Sequence, residues 1–415
     1  MARASLTGAA LVASALAGHV RAEPTPRDGV LVDAVEVRGA RRTRKATITA
    51  LLPRKPPAVF LRRELDEFER RLNNLGIFDR VLVSLESRAL VVEVREKWTL
   101  IPTIDFATGQ TLADTYVAVG ATDHNFLGTA SALTLNVSYE DRGLNGYVGW
   151  QGHPYDPSIG APLLNAFYGS SGVSFDSGQE WRRHQAGGSF GWLLPYSYGL
   201  PLRVSAALFG HVERISERLG QPIPSSGVAF GSELEVAWDS YTWHDLAPYG
   251  YALSIGVSAG AFVPAAQARH SLGVHGLFAV APTTTTALMA QVTAEVVSSG
   301  NPNHSLLLSS WQEVRGLTDS FYRDQAQLTG NVELRQAARF AERWAVQAVA
   351  FADAAVFTPF DVTGTAQAAQ TAFGAGVGLR LIPTLLAQVV PRIDVGRLFA
   401  PDRRWFFQLG LAQYF

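Results

Sequence analysis

The sequence predicts a small α+β domain of element order β-α-α-β-β, followed by an all-β, 16-stranded antiparallel transmembrane barrel. Three observations carry that expectation. Residues 30–97 mix helical and strand periodicities. From Trp98 onward the helical period disappears, and segments of about 8–14 residues alternate between apolar and small or polar side chains. Beyond the N-terminal leader, no stretch reaches the ~18 uninterrupted apolar residues that a spanning helix needs, although 47% of the chain is hydrophobic and only 17% is charged.

The leader comes first. Met1-Ala2-Arg3 is a short basic start, Ser5 to Gly18 is apolar and small, and Val20-Arg21-Ala22 offers a cleavage site before Glu23. This pattern predicts a signal peptide over residues 1–22, so the mature chain is exported. With no cysteine among 415 residues, the sequence excludes disulfides, thiolate catalysis and Cys-ligated zinc, and a lipidated cysteine at the cut. A formal net charge of −1 argues against nucleic acid as a partner.

The first domain spans residues 23–97. "VLVDAVEVRG" (Val30–Gly39) reads as a strand ending at a glycine turn, and "TRKATITALLP" (Thr43–Pro53) as a short helix stopped by proline. "FLRRELDEFERRLNNLG" (Phe60–Gly76) sets Leu61, Leu65, Phe68, Leu72 and Leu75 on one helical face, with Gly76 as C-cap. "IFDRVLVSLES" and "ALVVEVREKW" are then two strands joined by a tight turn. About 70 residues lie close to the minimum for a self-sufficient core.

Residues 98–415 carry the barrel. Leu133, Leu135, Val137 and Tyr139 oppose Thr134, Asn136, Ser138 and Glu140; Phe373, Val377, Leu379 and Leu381 oppose Gly374, Gly376, Gly378 and Arg380. One face is apolar with aromatics near segment ends, and many segments exceed the about 9–11 residues that cross a bilayer at a tilt. Lipid demands closure, because an open edge in hydrocarbon leaves backbone groups unpaired. In the last stretch, "WFFQLGLAQYF", Trp405, Phe407, Leu409, Leu411 and Phe415 share a face.

Several pieces together resemble one family. "VEVRGARRT" and "LGIFDRVLVSLE" look like a POTRA domain, the periplasmic module of outer-membrane assembly proteins. "VRGL" (Val314–Leu317) before "QLTGNVELR", then "FADAAVF", "GAGVGLRL", "RIDVGRLF" and the terminal strand resemble the barrel of the BamA/TamA outer-membrane superfamily, the bacterial surface antigens, as a short single-POTRA member. "YVAVGATDHNFLGTASALTL" (Tyr116–Leu135) resembles the second strand and hairpin of that family. The resemblance implies an inward-folded extracellular loop whose Arg315-Gly316 meets acidic residues inside the lumen. It also implies that Phe407, Leu409, Leu411 and Phe415 form a C-terminal barrel recognition signal. Two features depart from the family: Leu317 stands where an aromatic usually follows Arg-Gly, and there is one POTRA where BamA has five and TamA three.

The residues themselves point to the acids. Glu333 lies on the polar face of "QLTGNVELR", and Asp353 shares parity with Phe351 against an even face of Trp344, Val346, Ala348, Ala350, Ala352 and Ala354. A carboxylate facing lipid is costly, so both point inward. Arg315 can supply the forked cation they call for. In the alternative, both acids face lumen water and Arg315 faces outside.

Other motifs are weaker. "GVSAG" (Gly256–Gly260) matches a nucleophile elbow but lies mid-strand, which leaves Ser258 as a small lumen residue. His124 and His153 are isolated, and no metal-ligand spacing or phosphate loop is found. The expectation is no enzyme, no cofactor and no metal. The resemblance implies assembly or translocation of other proteins at the outer membrane of a Gram-negative-type bacterium, with the POTRA domain in the periplasm. The implied partners are the lipid bilayer, unfolded outer-membrane or secreted clients paired to a POTRA edge strand, and periplasmic or lipoprotein partners. A seam between "WTLIPTIDF" and "WFFQLGLAQYF" would admit a client. A two-partner-secretion translocator, a passive porin or structural barrel, and a lipase-type enzyme resting on Ser258 are the alternatives. The seven residues Glu23–Gly29 are too few for the plug helix of the first.

Overall fold

A computed structural model describes residues 29–107, 116–140, 143–153, 160–174, 180–194, 201–219, 225–244, 246–263, 267–298, 304–308, 313–317, 323–359, 361, 365–384, 390–401 and 403–410. The expected leader, Leu411 and Phe415 lie outside the described residues.

The N-terminal domain contains β1 (Gly29–Val32), β2 (Ala34–Arg38), α1 (Lys45–Thr49), β3 (Ala58–Leu61), α2 (Arg62–Asn74), β4 (Phe78–Glu86) and β5 (Ala89–Glu96). Its sheet has the order β2-β5-β4, with β2 parallel to β5 and β4 antiparallel to it. The β-α-α-β-β frame gains a second ribbon, β1 paired with β3. Val30–Gly39 splits into two strands at Asp33, whose N–H donates to the Arg88 carbonyl at 2.8 Å. The second helix starts at Arg62 rather than Phe60. The Glu64 carboxylate accepts the Leu61 N–H at 2.8 Å, and Phe60 pairs with Val30 in the ribbon. Ile48, Leu51, Phe60, Phe68, Leu72, Leu90 and Val92 make the core, with Ala130 of the barrel packed into it.

The barrel runs through β6 (Leu100–Ala107), β7 (Tyr116–Phe126), β8 (Ser131–Glu140), β9 (Gly143–Gln151), β10 (Ala161–Ser174), β11 (Glu180–Leu193), β12 (Leu202–Leu219) and β13 (Gly227–Asp239). It continues through β14 (Thr242–His244), β15 (Ala247–Val263), β16 (Gln267–Val280), β17 (Thr286–Ser298), β18 (Leu306–Leu307) and β19 (Arg323–Ala341). The last strands are β20 (Trp344–Pro359), β21 (Gln370–Pro383), β22 (Arg392–Ala400) and β23 (Arg404–Gly410). β14 and β18 are short additions; the other sixteen strands close the antiparallel wall. The closing edge, β23 against β6, is the thinnest contact between neighbouring long strands among the described residues.

Alternation assigns the faces. Along β19, Gln327, Thr329, Asn331, Glu333 and Arg335 are buried, while Leu328, Val332 and Leu334 are exposed on the outside. On β23, Phe407 and Leu409 are outside and Gln408 inside. An apolar outer face around a polar interior is the surface of a barrel solvated by lipid.

The N-terminal domain docks on one end of this wall. The β7–β8 turn takes positive φ at Leu127, Gly128 and Ala130. The Gly128 carbonyl accepts the Arg44 N–H at 2.9 Å and the Thr47 hydroxyl at 3.1 Å. A Cβ at Gly128 would stand 2.2 Å from the Arg42 carbonyl oxygen, so only glycine permits this approach. Asn125 Nδ2 donates to Thr43 Oγ1 at 2.9 Å, and Asn74 Nδ2 donates to the Tyr241 carbonyl beside β14 at 3.0 Å.

The docking segment is shaped by Glu96. Its carboxylate accepts the backbone N–H groups of Arg41, Arg42 and Thr43 at 3.1, 3.0 and 2.7 Å. Burial pushes the Glu96 pKa up, but these N–H groups outweigh it and hold it below the ordinary carboxylate value. Glu96→Gln should loosen residues 41–47 by about 1 kcal/mol after discounting for solvent screening. Because the folded pKa is depressed, the wild-type contribution is present at neutral pH and is lost as pH falls through that lowered value. Hydrogen exchange at residues 41–47, measured at neutral and acid pH, checks both statements. Closure has its own test: the unheated protein should migrate faster on detergent gels than the boiled protein, since a complete ring of interstrand hydrogen bonds resists detergent.

Candidate functional site

Between β17 and β19 the chain turns back into the barrel. Leu308, Val314 and Leu317 of this loop pack against Ala355, Phe357, Ala372 and Leu398 of the wall. Leu317 thus supplies apolar contact where the resemblance leads one to expect an aromatic.

Arg315 is 0% exposed. Its Nε and Nη2 donate to the two Asp353 carboxylate oxygens, both at 2.8 Å, and its Nη1 donates to Glu333 Oε1 at 2.7 Å. Its backbone N–H reaches Asp353 Oδ2 at 3.1 Å. The guanidinium lies 3.6 Å from the centroid of the Phe351 ring, a cation–π contact on its remaining face. Gly316 has φ +87, and its carbonyl accepts Arg404 Nη2 at 3.0 Å. A Cβ at Gly316 would meet Phe406 Cδ1 at 2.3 Å.

Strand pairing brings the acceptors together. On β19 and β20, Asn331 stands opposite Asp353 and Glu333 opposite Phe351. Asn331 Nδ2 donates to Asp353 Oδ1 at 3.0 Å and to the Glu313 carbonyl at 2.7 Å, which ties loop and wall together. Gly374, Gly376 and Gly378 on β21 leave room: a Cβ at Gly378 would lie 2.0 Å from Asp394 Oδ1.

A wider network surrounds this pair. Arg335 Nε donates to Glu333 Oε2 at 2.6 Å, and Arg380 Nη1 to Asp394 Oδ1 at 2.5 Å. Arg380 Nη2 lies 3.7 Å from Glu333, Arg392 Nη1 3.9 Å from Asp394, and Arg315 Nη1 4.0 Å from Asp394. Four guanidinium groups and three carboxylates are therefore buried together. Sequence reasoning named Arg315, Gly316, Glu333 and Asp353, and the structure brings them together. It missed Asp394, Arg335, Arg380 and Arg392. The signal was present: Arg380 sits between Leu379 and Leu381, and Asp394 between Ile393 and Val395, so each falls on the lumen face.

Of the expected C-terminal signal, Phe407 and Leu409 lie on the outer face of β23. Ser258 sits mid-strand in β15, with its hydroxyl 2.5 Å from that of Ser271; no strand-to-helix turn presents it as a nucleophile. One cluster lies outside every motif the sequence offered. His211 and Glu213 of β12 meet His304 of the inward loop, with one ligand atom from each within 4.8 Å of the others. Spacing could not show this, because His304 approaches from a distant loop.

Comparisons with known proteins agree with this architecture. The model of the family described as POTRA, surface antigen variable number repeat, matches residues 30–97. CdiB from Escherichia coli superposes with a TM-score of 0.61 at 15% identity, covering 92% of this chain and 76% of that one. CdiB from Acinetobacter baumannii gives a TM-score of 0.59 at 14% identity, covering 93% of this chain and 74% of that one. BamA from Haemophilus ducreyi lacking POTRA domains 1-3 gives 0.48 at 13% identity, covering 92% and 84%. No curated protein matches the sequence. The chain has the fold of a POTRA-barrel protein: one POTRA domain followed by a closed antiparallel barrel.

Removing one partner of a fully buried pair strands the other charge, at about 3–5 kcal/mol. Arg315→Ala and Asp353→Asn should each lower the temperature at which the folded gel band is lost. Their double variant should fall short of the sum, because the residues touch; strict additivity would refute the coupling. Gly316→Val should give a related loss through the clash with Phe406, while Leu317→Phe should be milder.

Proposed function

We propose that this chain is an outer-membrane barrel that assembles or translocates other proteins, and that Arg315, Glu333 and Asp353 lock its inward loop. The observation that carries the reading is the buried Arg315 at the tip of a loop folded into the lumen. A loop held into the lumen by a buried guanidinium suits a barrel with a closed resting state that opens for a client. Residues 1–22 act as the signal peptide, 23–97 as the periplasmic POTRA domain and 98–415 as the barrel. The POTRA domain meets the short β7–β8 turn, and short turns belong on the periplasmic side of such barrels.

The mechanism has two parts. An extended client segment adds to a free edge of the POTRA sheet, β2 or β4, through backbone hydrogen bonds that read no particular sequence. The client then enters the wall at the β6–β23 edge, the thinnest junction of long strands among the described residues. Phe407, Leu409, Leu411 and Phe415 serve this chain's own insertion as an apolar terminal strand.

Reconstitution in liposomes tests the reading. The protein should accelerate insertion of an unfolded barrel client, and a disulfide engineered across the β6–β23 edge should abolish that activity until reduced; the native chain has no cysteine to interfere. Steady conductance with no effect on any client would establish a porin instead. Export of a secreted client that survives the cross-link would favour the two-partner-secretion translocator.

A further inference from the structure

The structure assigns a metal site to the barrel lumen: we propose that His211, Glu213 and His304 bind one zinc-class divalent cation. His211 and Glu213 are two residues apart on β12, so both face inward while Val212 between them faces out. His304 enters from the loop between β17 and β19 and is 5% exposed; Glu213 is 1% exposed. Glu213 Oε2 lies 3.5 Å from His304 Nε2 and 3.9 Å from His211 Nε2.

A second observation points to a ligand. The Nε2 atoms of both histidines are buried and, apart from the long 3.5 Å approach of His304 to Glu213, find no hydrogen-bond partner among the described residues. Two unsatisfied imidazole nitrogens around one buried carboxylate oxygen are costly without an occupant. A dication satisfies all three donors at once. Two imidazoles and a carboxylate suit Zn²⁺, Ni²⁺ and Cu²⁺, whereas Mg²⁺ and Ca²⁺ prefer oxygen donors.

The surroundings support these positions. Gln185 Nε2 donates to Glu213 Oε2 at 3.1 Å and steadies the carboxylate, as outer ligands commonly do. Phe262 stacks edge-on to His304 with centroids 5.1 Å apart, and Phe167 lies 6.0 Å from His211. Tetrahedral zinc, with ligands at about 2.0–2.1 Å, needs donors about 3.3 Å apart. The triad therefore has to contract by about 1.5 Å at most from its 4.8 Å limit, which ring rotation and the loop can supply. Arg183 and Arg269 are the nearby cations; both act electrostatically on His211 and weaken binding. Neutral imidazoles and a single carboxylate leave the fourth position to water, as in open zinc sites.

The consequence for the loop rests on the lock reading above. Arg315 pins this loop to β19 and β20, whereas His304 pins it to β12; β13, β15, β16, β17 and β19 separate β12 from β20 along the wall. Metal would make the loop a strap held at two distant points of the lumen.

Zinc titration of the full-length detergent-solubilised protein, with Co²⁺ as the optical probe, tests the site. The expected result is one Zn²⁺ per chain, and a tetrahedral Co²⁺ spectrum that Zn²⁺ displaces. His304→Ala, His211→Ala and Glu213→Gln should each weaken binding at least tenfold. His304→Ala lies in the loop and should leave the heat-resistant gel band intact, so loss of binding would not reflect loss of fold. Arg315→Ala should still bind zinc, which separates this site from the lock. No stoichiometric binding, or binding unchanged by all three variants, would overturn the proposal. Zinc that binds without protecting residues 299–322 from protease would remove the strap and leave the metal site standing.

Discussion

A single buried guanidinium governs the interior of this barrel. Arg315 gives up all contact with bulk water, and its desolvation is offset only because two carboxylates and an aromatic face converge on it. That convergence constrains everything nearby. A one-residue slip between β19 and β20 would turn Glu333 or Asp353 out to lipid, so the register of two long strands is tied to one loop side chain. The glycines of β21 keep the adjacent wall thin enough for Asp394 to sit beside the same network.

The network carries more guanidinium groups than carboxylates, and several guanidinium nitrogens share one acid. Glu333 meets Arg315, Arg335 and Arg380, while Asp394 meets Arg380 and Arg392. Shared acceptors couple the strands: withdrawing Arg315 leaves Glu333 with two other cations, but it leaves Asp353 with only the uncharged Asn331 amide among the contacts described here. Asp353 is therefore the acid that depends most on Arg315.

The POTRA domain is attached through the barrel's own β7–β8 hairpin. Asn125 binds Thr43, the Gly128 carbonyl accepts the Arg44 N–H, and Ala130 enters the domain core. These residues belong to β7 and the β7–β8 turn, next to β6.

The sequence by itself determined which side of each strand is wet. Alternation is local, and a charge on a lipid-crossing strand has one tolerable direction; Glu333 and Asp353 were legible on that ground, and Asp394 and Arg380 were equally legible by the same rule. It also determined the domain order, since that follows from the change of period near Trp98. Only the tertiary structure decided what those inward charges meet. Residues that pair across β19, β20, β21 and β22 are far apart in the chain, and no periodicity encodes their register. The same holds for β3, a four-residue strand that exists because β1 is there to pair with it, and for His304, which meets His211 and Glu213 only after the loop has folded into the lumen.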